Sequence, residues 1–241
     1  MSAEDRVDQI TAWADGFING KVLLFNKPLY WTSFDLVNKI KSILRNALNL
    51  KKLRVGHAGT LDPLASGLMI LCTGKETRNI EKYQSLPKEY IARITLGAVT
   101  PSFDLETDIS RTFPVEHINR SIIEETIKSF KGNQMQMPPD FSARFVGGTR
   151  AYKLARKGEK VDLKPREILI NEIDLISIAM PLVEIRVNCS KGTYIRSLAR
   201  DIGERMNSGA YLSGLVRTAI GDFSLNSALS IEEFERNFIF L

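Results

Sequence analysis

The sequence predicts an α+β fold, on three observations. Segments of strand periodicity and of helical spacing are mixed without a regular strand–helix–strand alternation, which disfavours a doubly wound parallel sheet. Two segments alternate cleanly: Tyr90, Ala92, Ile94 and Leu96 against Ile91, Arg93 and Thr95, and Val183, Ile185 and Val187 against Glu184, Arg186 and Asn188. The 241 residues, 44% hydrophobic and 25% charged, have an ordinary globular composition and can bury a core without cross-links.

The elements follow in order. Residues 1–19 read as a loosely packed N-terminal extension. Residues 20–25 read as a short strand, stopped by Asn26-Lys-Pro28. Thr32 and Ser33 are N-cap residues with Asp35 in the first turn, and Phe34, Val37, Ile40, Leu44 and Leu48 recur at helical spacing on the inward face. Glycines, a proline and small residues crowd 56–67, and the apolar run 68–72 then reads as a buried strand. Ser121-Ile-Ile-Glu124 is a capping-box pattern for a helix that Gly132 can end. Residues 134–148 read as a long polar loop and 151–157 as a short helix. Strands over 168–178 and 182–189, a helix over 194–206 and a second capping box, Ser230-Ile-Glu-Glu233, complete the pattern.

Several chemistries are excluded. Two distant cysteines, Cys72 and Cys189, make neither a disulfide framework nor a four-cysteine zinc site, and His57 and His117 lack ligand spacing. Phosphate-loop, dinucleotide and nucleophile-elbow signatures are missing. No apolar run nears the ~20 residues that span a bilayer, and the acidic N-terminus has no signal-peptide core, so a soluble cytoplasmic protein is expected. Net charge is +5, unevenly spread. Residues 39–54 hold six basic residues and no acids, 144–166 hold eight against two, and 101–126 hold six acids against two. Such stretches fit either a polyanion-facing surface or solvated faces.

Two constellations remain. Asp62 lies between glycine-containing turns, close in sequence to His57, and leads into an apolar strand. Asp-Pro commonly opens a turn, yet a loop held by a rigid strand is also where reactive side chains are presented. Arg196 follows a strand and Ser190-Lys-Gly-Thr193, in the first turn of a helix. The helix dipole disfavours a cation there, so an anion from outside could compensate it, or the residue could simply be exposed.

Gly56-His-Ala-Gly-Thr-Leu-Asp-Pro-Leu-Ala-Ser-Gly67 resembles the signature of the TruB family of tRNA pseudouridine synthases. Other segments agree in order: Lys21 to Ser33 with its opening motif, Lys88 to Gly97 with its tyrosine strand, Gln136 to Ala143 with the start of its RNA-gripping loop, Cys189 to Arg196 with its arginine motif, and Gly214 to Arg217 with its leucine-arginine strand. The resemblance implies a large mixed, mostly antiparallel sheet flanked by helices with a central active cleft. It implies a catalytic domain over 20–241, with the RNA-gripping insertion near 134–166. It also implies conversion of a uridine at position 55, in the T-loop of tRNA, to its C-glycoside isomer, without cofactor or metal.

By resemblance Asp62 is the reacting carboxylate, whether as nucleophile on the base, as nucleophile on the sugar, or as a base at the sugar. Arg196 pairs with it, Tyr90 stacks on the uracil, Leu215 lines the apolar wall, and His57 fills space the flipped nucleotide leaves. Lys27 and Tyr194, in their motifs, belong to the substrate-binding set. Tyr152, among Arg150, Lys153 and Arg156, reads as an RNA-contacting aromatic or as a core residue. The expected partner is the tRNA T-stem-loop, with no membrane and no obligate protein partner, and a monomer is expected. A non-catalytic tRNA-folding helper is the alternative reading.

Three departures stand out. Tyr30 occupies a position where the motif usually has glycine, and a slightly different turn is expected there. Arg78 replaces a usual lysine. The chain also ends near the family's domain boundary, without room for the C-terminal PUA-type module of many members, so weaker RNA binding than theirs is expected.

Overall fold

The computed structural model describes residues 3–142, 144–159 and 161–236, with side chains described from residue 11 onward except at Val146. The elements are α1 (Ala3–Asn19), β1 (Val22–Lys27), α2 (Ser33–Ala47), β2 (Val55–His57), β3 (Ala65–Thr73), a 3-10 turn (Gly74–Asn79) and α3 (Ile80–Ser85). There follow β4 (Lys88–Leu96), β5 (Ala98–Val99), β6 (Arg111–Thr112), α4 (Arg120–Lys128), β7 (Gly132–Gln136), β8 (Phe145–Val146), β9 (Thr149–Arg150) and α5 (Ala151–Ala155). The chain continues through β10 (Arg166–Ala179), β11 (Leu182–Cys189), α6 (Ile195–Arg205), β12 (Ala210–Ile220), β13 (Phe223–Ser224) and α7 (Ile231–Arg236). Two compact units arise, Met1–Lys88 with Val216–Leu241, and Glu89–Leu215. Every ladder of described register is antiparallel, and Phe25–Leu229 and Asp104–Leu212 are single parallel bridges. The α+β expectation and the mixed, mostly antiparallel pairing hold.

In the first unit β3 lies between β1 and the Val216–Ile220 part of β12. Leu68, Ile70 and Cys72 bury one of its faces with Ala58 and Ile220, and Leu71 is equally buried. Both faces are covered, which is why this strand reads as an unbroken apolar run. Phe25 of β1 meets Phe234 of α7 edge-on at 5.0 Å. The segment before β1 is not loose. Residues 3–19 form a helix whose Ala14 and Phe17, three apart on one face, are buried, and the Thr73 hydroxyl donates to the Phe17 carbonyl at 2.9 Å.

Thr32 caps α2 as expected. Its hydroxyl accepts from the Asp35 N–H (3.0 Å) while the Asp35 carboxylate accepts from the Thr32 N–H (2.9 Å). The inward face differs by one position. Leu36 joins Val37, Ile40 and Leu44 in the core, and Phe34 stands 67% exposed. The box at Ser230 and Glu233 also forms, with Ser230 N–H to carboxylate at 2.7 Å.

In the second unit the strand order is β12-β4-β11-β10-β7. On β4 the alternation is realised, with Tyr90, Ala92, Ile94 and Leu96 buried. Three local readings change. α4 is capped by Asn119, whose side chain accepts from the Ile122 N–H (3.1 Å), while the Ser121 hydroxyl donates to Glu125 instead. Residues 134–136 are not loop but the end of β7, paired with β10. The polar Asn133-Gln-Met-Gln136 hides that strand, because it pairs only with β10, at the end of the strand order. Beyond it β8 and β9 form a hairpin over Gly147 and Gly148, both at positive φ, and α5 ends two residues sooner than its pattern suggested.

Candidate active site and nucleic-acid interface

The Asp62 turn is built by backbone clamps within the first unit. Arg217, 1% exposed, donates to the carbonyls of Leu68 (Nε, 2.7 Å), Gly59 (3.2 Å) and Thr60 (3.4 Å). Ser33 donates to the Leu61 carbonyl (3.0 Å) and accepts from its N–H (2.8 Å). The turn closes with the Ala65 N–H on the Asp62 carbonyl at 3.1 Å. Glycine is obligatory at 67, where φ is +110° and an added Cβ would lie 2.4 Å from the Arg217 carbonyl oxygen. Asp62 itself is half-buried. The fixed loop thus offers a carboxylate whose position is set by the strand that follows it.

Lys27 and His57 frame this turn. The Lys27 ammonium is inaccessible and donates to the carbonyls of Pro28 (2.9 Å) and Trp31 (2.6 Å). Burial pulls its pKa down to about 8; the Asp62 carboxylate opposes that shift, and Arg217 reinforces it. His57 ends β2 opposite Leu71, and its pKa is lowered, chiefly by burial, with Arg217 adding and the Gly59 backbone opposing. Its Nδ1 is buried without a hydrogen-bond partner among the described residues. The neutral ring suits a space-filling role better than a cationic one.

The expected residues of the second unit occupy β4, α5, the start of α6 and β12. Tyr90 and Leu215 are each 9% exposed. Arg196 is 5% exposed, and its Nε faces Asp104 Oδ2 at 3.6 Å. It also donates to the carbonyls of Ser102 (3.3 Å) and Phe141 (3.0 Å). The anion that compensates a cation at this helix start is thus, within its own unit, Asp104. That carboxylate is held in turn by the Glu106 N–H at 2.9 Å. Tyr194 is positioned by its backbone. The Gln136 side chain accepts from the Tyr194 N–H (2.8 Å) and donates to its carbonyl (3.0 Å). Tyr152 is half-buried beneath the Arg156 guanidinium, 5.5 Å from ring centroid, and Arg156 pairs with Glu106 at 2.6 Å.

Sequence reasoning assigned no part in the site to Asp104, Gln136, Arg217 or Ser33. Arg217 lay inside a quoted motif, and the capping pattern covered Ser33. Asp104 lay in a stretch noted only for its acids. A further feature joins parts that charge counting kept apart. Lys41 and Arg45 of α2, Lys51, Lys52 and Arg54 after it, and Lys75 and Arg78 of the 3-10 turn line a basin of about 600 Å³ together with Ile18 and Leu53. Among the described residues none of these seven cations makes an ion pair with a carboxylate. Uncompensated positive charge in a concave surface raises the local concentration of anions. Among the described residues no three His, Cys, Asp or Glu side chains form a metal-holding group, and no helix is long and apolar enough to cross a membrane.

Residues 45–195 match the family model for the N-terminal domain of TruB family pseudouridylate synthases. The chain is 58% identical over 218 residues to tRNA pseudouridine synthase B of Phocaeicola vulgatus, covering 90% of this chain and 93% of that protein. It is 51% identical over 222 residues to the tRNA pseudouridine synthase B of Flavobacterium johnsoniae, covering 92% and 97%. Among solved structures it is similar to a chain in the crystal structure of a Cbf5-Nop10-Gar1 complex, with a TM-score of 0.72 and 28% identity. A chain of an H/ACA RNP bound to a substrate RNA containing 2'-deoxyuridine matches with a TM-score of 0.68 and 27% identity. The match covers 94% of this chain in both cases, but only 57% and 56% of those longer chains.

Proposed function

The chain belongs to the TruB family of pseudouridylate synthases, and from that premise we propose that it converts a uridine of tRNA, position 55 in the T-loop, to pseudouridine, with Asp62 as the reacting carboxylate. The observation that carries this reading is the Asp62 turn: a half-buried carboxylate on a loop clamped by Arg217 and Ser33. The reaction breaks the N1–C1′ bond, rotates the uracil and forms C5–C1′; the C5 proton goes to water and N1 takes a proton from solvent, so that the product is an isomer of the substrate. Asp62 serves either as a nucleophile, on base or sugar, or as a base at the sugar. Each route needs one fixed carboxylate and a flipped nucleotide, whose extrusion costs a few kcal/mol.

In this reading Arg196 pairs with Asp62 and orients it, and Tyr90 stacks on the uracil. Leu215 lines the apolar wall, and His57 takes up the space of the flipped nucleotide. Lys27 stiffens the turn beside the carboxylate, and Tyr194 and Tyr152 contact the RNA. The basin and the segment 144–166 hold phosphates. The enzyme works on tRNA in the cytoplasm as a monomer, and light scattering that gave twice 27.1 kDa would contradict the last point. The test is tritium release from C5-labelled uridine in an unmodified tRNA transcript. Release mapped to the T-loop is expected. Salt-sensitive tRNA binding without release would favour the tRNA-folding helper.

A further inference from the structure

Two aromatic side chains, one on the β1–α2 turn and one at the start of α2, defy the pattern around them. Tyr30 sits at φ +66°, the left-handed region that disfavours a bulky residue, and its ring is 75% exposed. The turn is not relaxed to suit tyrosine, as the sequence suggested; the positive φ is kept. Three hydrogen bonds impose it. The Lys27 ammonium ties down the carbonyls of Pro28 and Trp31 from below, and the Tyr30 N–H donates to the Pro63 carbonyl at 2.7 Å. Glycine would satisfy all three without strain. Four residues on, Phe34 turns outward, 67% exposed, although helical spacing assigned it to the core. Leu29 is exposed beside them. A strained backbone that carries an exposed ring gains nothing for the fold, and such outliers gather at functional sites.

The Pro63 carbonyl is one residue from Asp62, so this ring is tied to the rim of the carboxylate's own turn. We propose that Tyr30, with Phe34 behind it, is a stacking platform for an unpaired base of the RNA next to the flipped uridine. The proposal rests on the synthase reading for the identity of the RNA. Its chemistry is that of any unstacked base: a flat π-face that leaves the loop when its neighbour is extruded. Stacking recovers part of the cost of opening the loop, so the ring contributes to RNA affinity rather than to the chemical step.

The experiment compares wild type with Tyr30→Gly and Tyr30→Phe. It reads thermal unfolding, the Kd for an unmodified T-stem-loop RNA at fixed salt, and single-turnover tritium release at saturating RNA. Tyr30→Gly keeps the N–H to Pro63 and removes the strain. It should unfold no earlier than wild type, bind the RNA about tenfold more weakly, and keep the saturating rate. Tyr30→Phe should bind like wild type. An unchanged Kd in Tyr30→Gly would overturn the proposal, as would an equal loss in Tyr30→Phe, which would put the contact on the hydroxyl. Self-association lost in Tyr30→Gly with RNA binding intact would assign the ring to a second copy of the chain. Wild type that binds RNA but releases no tritium would defeat the synthase reading alone, since the platform is read from Kd.

Discussion

Glycine does opposite work at two places in this chain, at the start of β3 behind the Asp62 loop and in the β8–β9 hairpin. At Gly67, behind Asp62, an added Cβ would meet the Arg217 backbone oxygen at 2.4 Å and its nitrogen at 2.6 Å. At Gly147 and Gly148, in the β8–β9 hairpin, an added Cβ would meet nothing within 4 Å. The first loop is gripped by buried hydrogen bonds; the second carries an exposed Phe145 whose ring stacks under Arg150. Bond rearrangement needs a carboxylate held to a fraction of an ångström, whereas gripping a phosphate chain needs charge on a surface that can adjust. The contrast predicts unequal costs for similar changes.

The largest effect belongs to Gly67→Ala, which combines a left-handed φ with backbone overlap. It should cost roughly 3–5 kcal/mol, seen as a fall of ten degrees or so in Tm. Next comes Asp104→Asn. It strips the carboxylate from the buried Arg196 and should cost about 3 kcal/mol in denaturant unfolding, with activity falling together with stability. Third is a pH effect. The native Lys27 pKa of about 8 lies below the usual 10.5, so between those values the unfolded chain binds more protons. This group's contribution to stability therefore rises as pH climbs through that window. Denaturation at pH 7.5 and 9.5 should show the rise in wild type and its loss in Lys27→Met. The smallest stability effect belongs to Lys153→Ala with Lys157→Ala, in the segment proposed to hold phosphates. Unfolding should move by less than about 0.5 kcal/mol, while the slope of log Kd for tRNA against log salt should drop by about one for each phosphate no longer neutralised.

The same contrast explains what the sequence could show. Alternation exposed β4 and β11 because one face of each is buried, and the unbroken run 68–72 exposed β3 because both are. Spacing could not reveal β7, whose polar residues pair at the end of the strand order, or the Asn119 cap, which precedes a more conspicuous serine. The N-terminal helix was legible too, since Val7, Ile10, Ala14 and Phe17 recur at helical spacing, but the acids between them read as a loose extension; the burial of Ala14 and Phe17 shows the packed face. At the site, the turn-forming glycines and Asp62 were legible as a motif. Asp104 was not, because its partner Arg196 lies 92 positions away in sequence and is reached only through the fold. Tyr30 was legible as an oddity, yet its strain could be read only from the backbone.

The most direct measurement pairs Asp62→Asn with wild type, following tritium release and tRNA Kd on the same preparations. The turn's backbone clamps do not use the Asp62 side chain, so the variant should keep the turn and still bind tRNA, with some loss of stability where the carboxylate faced cations, while release falls by at least about a thousandfold. Release that persists in Asp62→Asn with binding intact would contradict the account, and would move the reacting group off the loop that Arg217 holds.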